Sequence, residues 1–171
     1  ITPPCWSSAV PIGDTLASEL HTFTDEQTGR RVRRFTRGPV HCYPLYYFVP
    51  SHTRDGRHMV IHRQTGDTVQ LFRLDLADGA MTQLTDGRTA DAGWAIWCNR
   101  RIHGIYNHLS ALCQRRDEVY YFQDSPHESP GVMQLRATHL HSLRNRVVCE
   151  LPGRISIGQS AFSPDGKLFA F

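Results

Sequence analysis

Three segments of the chain repeat one pattern of strand, polar turn and second strand, and this repeat limits the possible folds most. The segments are SHTRDGRHMVIH at 51–62, ALCQRRDEVYYF at 111–122 and AFSPDGKLFAF at 161–171. Their turns are centred on Asp55, Asp117 and Asp165, so successive anchors are 62 and 48 residues apart. A period of this length suits four-stranded blades with loop insertions better than helical repeats. The sequence therefore predicts an all-β fold of the β-propeller type.

The segments between the repeats also match one another. LFRLDLADGAMTQLTDG at 71–87 and LRATHLHSLRNRVVCELPG at 135–153 both predict two strands, whereas only TLASELHTF at 15–23 could form a short helix or equally be extended. We predict an N-terminal segment over 1–37, whose strand could close a ring, and a partial propeller over 38–171. Its blades are expected at about 38–87, 88–153 and, incomplete, 154–171. Since closed rings usually contain four to eight blades, we expect the chain to be the N-terminal portion of a longer protein.

Composition and charge argue against a membrane-spanning protein and against a nucleic-acid-binding protein. The chain has 171 residues, 40% hydrophobic and 20% charged, with a mean hydropathy of −0.41, and no apolar run long enough to span a bilayer. Its net charge of +3 is partly concentrated in RRVRRFTR at 30–37, which could attract a polyanion or simply form a solvated strand. Nucleic acid is not the expected partner, because this run contains a single aromatic residue, Phe35, and the pI of 8.7 is modest.

The cysteines and the first residues bear on the compartment. Cys5, Cys42, Cys98, Cys113 and Cys149 are scattered and contain no CxxC pair, so they indicate neither a disulfide framework nor a thiolate zinc site. Together with the lack of a signal-peptide pattern, this favours a cytoplasmic location. A periplasmic or secreted protein whose leader had been removed would show the same pattern.

Three further runs resemble a known family. FTDEQTGRRVRRFT at 23–36, HCYPLYYFVPSHTRDGRHMVIH at 41–62 and LFRLDLADGAMTQLTDG at 71–87 resemble the opening of oligogalacturonate lyases and related propeller polysaccharide lyases, including ulvan lyases. Residues 19–87 carry the clearest similarity, and the later runs resemble the ulvan lyase branch more loosely. The resemblance implies a seven-bladed propeller. It also implies a carbon–oxygen lyase that cleaves an acidic, uronate-containing oligosaccharide or polysaccharide.

A uronate lyase needs a particular set of side chains. It removes the C5 proton beside a carboxylate and expels the C4 glycosidic oxygen by β-elimination. A base takes the proton, while an arginine, a neutral acid or a metal ion neutralises the carboxylate. Neutral imidazole suits the role of base near pH 7, since its ordinary pKa is about 6.5.

Aligning the repeats places polar residues where the innermost strands begin, on the propeller face where ligands usually bind. We predict His41, placed opposite His103 of the next blade, as the base. His62, which we expect to close the second strand, is its partner and would orient substrate or share proton transfer. Tyr106 is the candidate acid. Arg136 or Arg154 would neutralise the carboxylate, with Asn107 and Gln159 as hydrogen-bond donors. His52 and His58 flank the opposite turn, so we interpret them as structural.

The sequence allows more than one interpretation of the metal ligands and of the function. The resemblance implies a divalent metal (manganese, calcium or zinc) bound by histidine and glutamine residues of later blades, outside this chain. His139 and His141 in THLHS alternate and would share one face of a strand, as two ligands or as surface histidines of an outer strand. Without the later blades, these 171 residues are expected to be inactive by themselves. The alternative is a non-catalytic propeller that serves as a binding or scaffold module.

Overall fold

The computed structural model describes residues 11–87, 89–95, 100–106, 109–125, 132–152 and 159–171. All regular structure in these residues is β-strand, so the all-β prediction is confirmed. The segment 15–23, which could have been a helix, is extended instead. The described residues also contain no helix of the length and apolar character that a membrane crossing requires.

The strands are short and follow the predicted alternation with turns. In chain order they are β1 (Thr15–Leu16), β2 (His21–Thr24), β3 (Arg31–Arg34), β4 (His41–Pro44), β5 (His58–Thr65), β6 (Thr68–Asp75), β7 (Met81–Gln83), β8 (Thr89–Ala95), β9 (Arg100–Gly104), β10 (Ala111–Cys113), β11 (Glu118–Asp124), β12 (Val132–His139), β13 (Asn145–Pro152), β14 (Ala161–Phe162) and β15 (Phe169–Ala170).

The first blade, blade 1, is an antiparallel sheet in the order β4-β5-β6-β7, with β1 added at its outer edge. The β5–β6 turn closes tightly at Gly66, whose φ of 63° lies in the left-handed region that glycine tolerates. The β8–β9 hairpin joins the same sheet, since β9 runs parallel to the start of β6 and His103 pairs with Thr68. We call the edge that holds the β5–β6 turn and the start of β4 the upper edge.

The innermost strand of blade 1 is divided by an aromatic turn. After β4 the chain forms an isolated bridge between Tyr46 and Val49, then rejoins β5 where His52 pairs with Met59. Tyr47 and Phe48 at the tip are 79% and 67% exposed. The sheet therefore continues past the turn, while two aromatic rings project from it.

The second blade, blade 2, is a four-stranded antiparallel sheet in the order β10-β11-β12-β13. Its register shifts once, at a bulge between Leu135 and Arg136. A third unit is the β14–β15 hairpin, in which Ala161 pairs with Ala170. Two blades and one hairpin of a third therefore follow one another along the described chain.

The turn after the first strand of each unit has the same backbone structure in all three units. The three aspartates that the sequence aligned do not all occupy the same position in it. Each turn closes with a backbone hydrogen bond from its fourth residue to its first: Gly56 to Thr53 at 3.0 Å, Arg116 to Cys113 at 3.1 Å and Gly166 to Ser163 at 2.8 Å. Asp55 and Asp165 sit third in their turns and accept hydrogen bonds from Thr53 and Ser163, both at 2.6 Å. Asp117 lies two positions further along, with a φ of 49°. Equating it with Asp55 was therefore wrong by two residues.

Apolar side chains pack the units against one another in separate clusters. Blade 1 packs on blade 2 through buried residues that include Val60, Leu71 and Tyr121. Blade 2 packs on the third hairpin through Phe122 and Met133, against Phe162 and Phe169. The side chains of each blade alternate between its two faces, as the period of a strand requires. Each blade thus contributes one face to each neighbouring interface.

Candidate functional site

The two predicted catalytic histidines lie on the same face of blade 1. His41 pairs with Gln64 and Tyr43 pairs with His62 across β4 and β5. Directly opposed residues of an antiparallel pair share a face, so all four side chains project to the same side. His41 is exposed at the upper edge, whereas His62 has no exposed surface. The structure therefore brings the two histidines to one face but to different depths.

His62 is held as a buried imidazole. Its ring stacks on Tyr43 with centroids 4.8 Å apart and an angle of 17° between the planes. Its Nδ1 is 3.3 Å from the Pro44 carbonyl, which can only accept a hydrogen bond. This contact is a hydrogen bond in the tautomer that carries its proton on Nδ1, in which Nε2 is the basic nitrogen. The strand continues to Thr65, so the prediction that His62 closes the second strand was wrong.

Tyr106 is also oriented by the protein. It follows β9, is 5% exposed and packs in the interface between blade 2 and the third hairpin. Its hydroxyl donates to Oδ1 of Asp124 at 2.6 Å, and its backbone N–H donates to the Phe122 carbonyl at 2.9 Å. The partner carboxylate ends β11, 18 residues away in the sequence, and no local spacing indicated it.

Arg136 lies inside a hydrogen-bond network of blade 2. Its guanidinium donates from Nε to Oδ1 of Asn145 at 2.9 Å and from Nη1 to Oε1 of Gln134 at 2.9 Å. Its Nη2 also donates to Oδ1 of Asn145. Asn145 in turn donates to the Tyr121 hydroxyl at 2.8 Å. Burial raises the pKa of the Tyr121 phenol, against the opposing effect of these hydrogen bonds. β12 is two strands, about 10 Å, from β10, the innermost strand of blade 2, so Arg136 does not lie on an innermost strand.

The remaining predicted residues are described only in part. Gln159 is exposed and precedes β14, the first strand of the third hairpin, as the repeat predicts. Asn107 and Arg154 lie outside the described residues.

A histidine–carboxylate pair marks the upper edge of blade 1. Nε2 of His103 is 3.9 Å from Oδ2 of Asp67, and the His103 backbone N–H donates to the Asp67 carbonyl at 2.7 Å. Gln64 lies beside this turn, with its side-chain amide donating to the Gly66 carbonyl at 2.9 Å. The parallel pairing of β9 places His103 beside the third strand of blade 1, away from the position opposite His41 that the repeat predicted. The sequence signal for Asp67 was its position in a turn, directly after Gly66.

A cavity occupies the opposite, lower edge. It has a volume of about 260 Å³ and lies where the turns of both blades and the third hairpin meet. Arg54, Gln114 and Arg115 contribute its polar lining. The predicted histidine site and this cavity are therefore at opposite ends of the innermost strands.

The described residues do not form a metal site. No three histidine, cysteine, aspartate or glutamate side chains among them are arranged to hold an ion. β12 ends at His139, so the prediction that His139 and His141 share one face of a strand was wrong. Nδ1 of His139 accepts hydrogen bonds from the backbone N–H groups of His141 and Ser142, at 3.2 and 3.1 Å. His141 instead packs edge-on against His58, with ring centroids 5.2 Å apart.

Comparison with known proteins identifies the fold. No protein-family model matches the chain. No curated protein matches it either. Solved structures with a similar fold include an oligogalacturonate lyase in complex with manganese, with a TM-score of 0.68 and 23% identity over 92% of this chain and 36% of that one. They also include an oligogalacturonate lyase from Vibrio parahaemolyticus, with a TM-score of 0.67 and 17% identity over 91% of this chain and 36% of that one.

The chain thus spans about a third of the length of these lyases. The strand content, the blade order and these similarities agree on one architecture. The protein has the all-β, β-propeller fold that the sequence predicted.

Proposed function

We propose that the protein is a polysaccharide lyase that cleaves a uronate-containing chain by β-elimination. The observation that carries this proposal is the fold similarity to two oligogalacturonate lyase structures over 92% and 91% of the chain. Oligogalacturonate is accordingly the first substrate to test. The ulvan type remains the second choice, on the sequence resemblance of the later blades.

His41 is the proposed base. Among the predicted catalytic residues it has the exposed side chain, and it lies at the upper end of the innermost strand. A neutral imidazole in this position could remove the C5 proton of a uronate bound at the upper edge. The carboxylate of that sugar would have to be neutralised in the same step. Arg154 is the proposed cation for this role, and Gln159 is a proposed hydrogen-bond donor to the sugar.

His62 suits a positioning role better than direct contact with substrate. Its ring is fully buried and supports Tyr43, which shares a face with His41. Through this stack, His62 would fix the direction in which β4 presents His41. Proton sharing with substrate, the other role predicted for His62, would require the ring to become exposed.

Tyr106 is the proposed acid for the leaving oxygen. Its proton is donated to Asp124 in the structure. To act as the acid, the Tyr106 hydroxyl must break its hydrogen bond to Asp124 when substrate binds. It must then donate to the glycosidic oxygen instead. We further propose a divalent cofactor (manganese, calcium or zinc) held mainly by residues outside this chain, as one similar lyase is described in complex with manganese.

The alternative of a non-catalytic binding propeller is favoured by one group of observations. His62, Tyr106 and Arg136 all have partners within the protein, as structural polar residues do. A binding module would keep partner affinity after His41 is replaced, whereas a lyase would lose its activity.

The test follows the ultraviolet absorbance of the unsaturated uronate product. The full-length protein is incubated with oligogalacturonate, ulvan or alginate, with and without added manganese. We expect absorbance to rise with one substrate, and His41→Ala to slow the rise at least about 100-fold. His52→Ala, which removes an exposed histidine on the lower part of the same strand, is the matched control and should retain the wild-type rate. No rise with any substrate, with or without metal, would support the binding propeller instead.

A further inference from the structure

The basic run of the sequence forms an exposed hairpin at the outer side of blade 1. β3 pairs with β2 so that Arg33 lies opposite Thr22 and Arg31 opposite Thr24. These four side chains therefore share one face of the hairpin, and all four residues are exposed. The hairpin thus presents alternating arginines beside hydroxyl groups.

The hairpin is fixed to blade 1 by specific contacts. Arg33 donates from Nη2 to the Ala77 carbonyl at 2.8 Å, and its guanidinium lies 4.9 Å from the centre of the Phe35 ring. Arg37 donates from its side chain to the carbonyls of Glu19 and Leu20, at 2.9 and 3.0 Å. The arginine face is therefore held in place before any ligand arrives.

The acidic groups beside the hairpin are mostly engaged. Glu19 accepts from Arg63 at 2.9 Å and from the Arg37 backbone at 2.6 Å. Asp25 accepts from the backbone and the hydroxyl of Thr28. Glu26 remains exposed in the turn. The face that carries Arg31 and Arg33 contains no carboxylate in the described pairing. The carboxylates of Asp75 and Asp78 in the facing β6–β7 turn accept hydrogen bonds from the backbone N–H groups of Ala77 and Ala80, at 2.7 and 2.8 Å.

A groove runs between this face and the β6–β7 turn. It is an open depression of about 460 Å³, lined by Leu20, Thr22, Arg31, Arg33 and Ala77. We call it the arginine groove. The guanidinium of Arg31 makes no hydrogen bond or ion pair within the described part of the chain, so its donors are available to a ligand.

The arginine groove lies far from the proposed base. Its wall at Ala77 follows the lower end of β6, whereas His41 pairs beside the upper end of β5. His58, which pairs with Asp75, and Gln64, which pairs with His41, are six residues apart on β5, a separation of about 20 Å. A ligand in the groove would therefore contact a part of the protein other than the catalytic edge.

We propose that the arginine groove binds an acidic polysaccharide chain outside the catalytic site. Arginine donates in a planar fork that matches a carboxylate, and alternate residues of a strand are about 7 Å apart, so Arg31 and Arg33 suit a polymer that bears carboxylates at intervals. Threonine hydroxyls can bind sugar hydroxyls, and Leu20 supplies an apolar wall. The choice of a uronate polymer over other polyanions rests on the proposed function.

The test compares binding of the full-length protein to polygalacturonate, to the same polymer fully methyl-esterified, to trigalacturonate and to duplex DNA. We expect Arg31→Gln to weaken polygalacturonate binding about tenfold, as loss of one charge-assisted hydrogen bond implies. Arg144→Gln removes an exposed arginine from the β12–β13 turn and should bind as the wild type does. Both variants should cleave trigalacturonate at the wild-type rate, because the groove is remote from His41.

Several results would overturn the proposal. These are no binding of polygalacturonate, equal binding by the two variants, equal binding of the uncharged ester, or stronger Arg31-dependent retention of DNA. Cleavage without an effect of Arg31→Gln on binding would remove this proposal and leave the lyase intact. Arg31-dependent binding of polygalacturonate without cleavage of any substrate would remove the lyase and leave the groove.

Discussion

The upper edge of blade 1 and the interior of the two blades both carry polar residues that the sequence marked as catalytic. At the upper edge, His41 is exposed and Asp67 faces His103. In the interior, His62 supports Tyr43 and Arg136 binds Asn145. Residues of the same type therefore differ between the two regions in exposure and in the partners that they have within the protein.

The largest expected difference in stability is between variants that replace the buried and the exposed histidine. His62→Ala removes a fully buried ring from the stack on Tyr43 and should lower the free energy of unfolding by about 3 kcal/mol. His41→Ala should change it by less than about 0.5 kcal/mol, because its side chain is exposed. Chemical denaturation of the two variants measures both values. Equal destabilisation would show that the two histidines do not differ in burial.

The network of blade 2 should give the next largest effect. Arg136→Ala leaves the amide oxygens of Asn145 and Gln134 without their donor, at a cost of about 2 kcal/mol of unfolding free energy. Arg144→Ala, at an exposed position, is the control and should be nearly neutral. A stable Arg136→Ala variant with impaired turnover would instead assign this arginine to the substrate.

Replacing Tyr106 tests separately whether its hydroxyl stabilises the fold and whether it takes part in catalysis. Tyr106→Phe removes the hydrogen bond to Asp124 and should lower the free energy of unfolding by about 1.5 kcal/mol, since the acceptor is charged. If the hydroxyl also protonates the leaving oxygen, kcat should fall at least about 100-fold while KM changes little. Measuring stability and kinetics on the same preparation separates the two effects. A destabilised variant with unchanged kcat would make Tyr106 structural.

The smallest predicted effect concerns pH and the contact between the N-terminal segment and blade 1. Burial would raise the pKa of Glu19, but hydrogen bonds from Arg37 and Arg63 and their charges hold it below its ordinary value. The stabilisation is therefore present above the unfolded-state pKa and is lost as pH falls through the lower folded-state pKa. We expect Glu19→Gln to remove about 0.5 kcal/mol at neutral pH and nothing in strong acid. An unchanged pH dependence of thermal unfolding would contradict this assignment.

The sequence predicted most of the fold because its signals are local. Strand composition and turn residues determine β5, β6 and the turn at Asp55. The position of Asp117 was mistaken because blade 2 reaches the same closed turn without an aspartate at its third position. Alignment on one residue type therefore shifted the repeat.

The candidate site was less predictable because it depends on distant partners. Tyr106 and Asp124 are 18 residues apart, and only the pairing of strands brings them together. One signal for His62 was present. His62 lies two residues after Val60 and therefore on the same face of β5. Because that face packs in the core, the period of the strand predicts that His62 is buried.

Substrate binding at the upper edge of blade 1 can be observed directly by NMR, from the imidazole nitrogen signals of the full-length protein during titration with oligogalacturonate. His41→Ala and His62→Gln variants assign the two signals. We expect the His41 resonance to shift in proportion to bound oligosaccharide, while the His62 resonance stays at its position. A shift at His62 with none at His41 would instead place the substrate at the buried histidine and leave the upper edge of blade 1 empty.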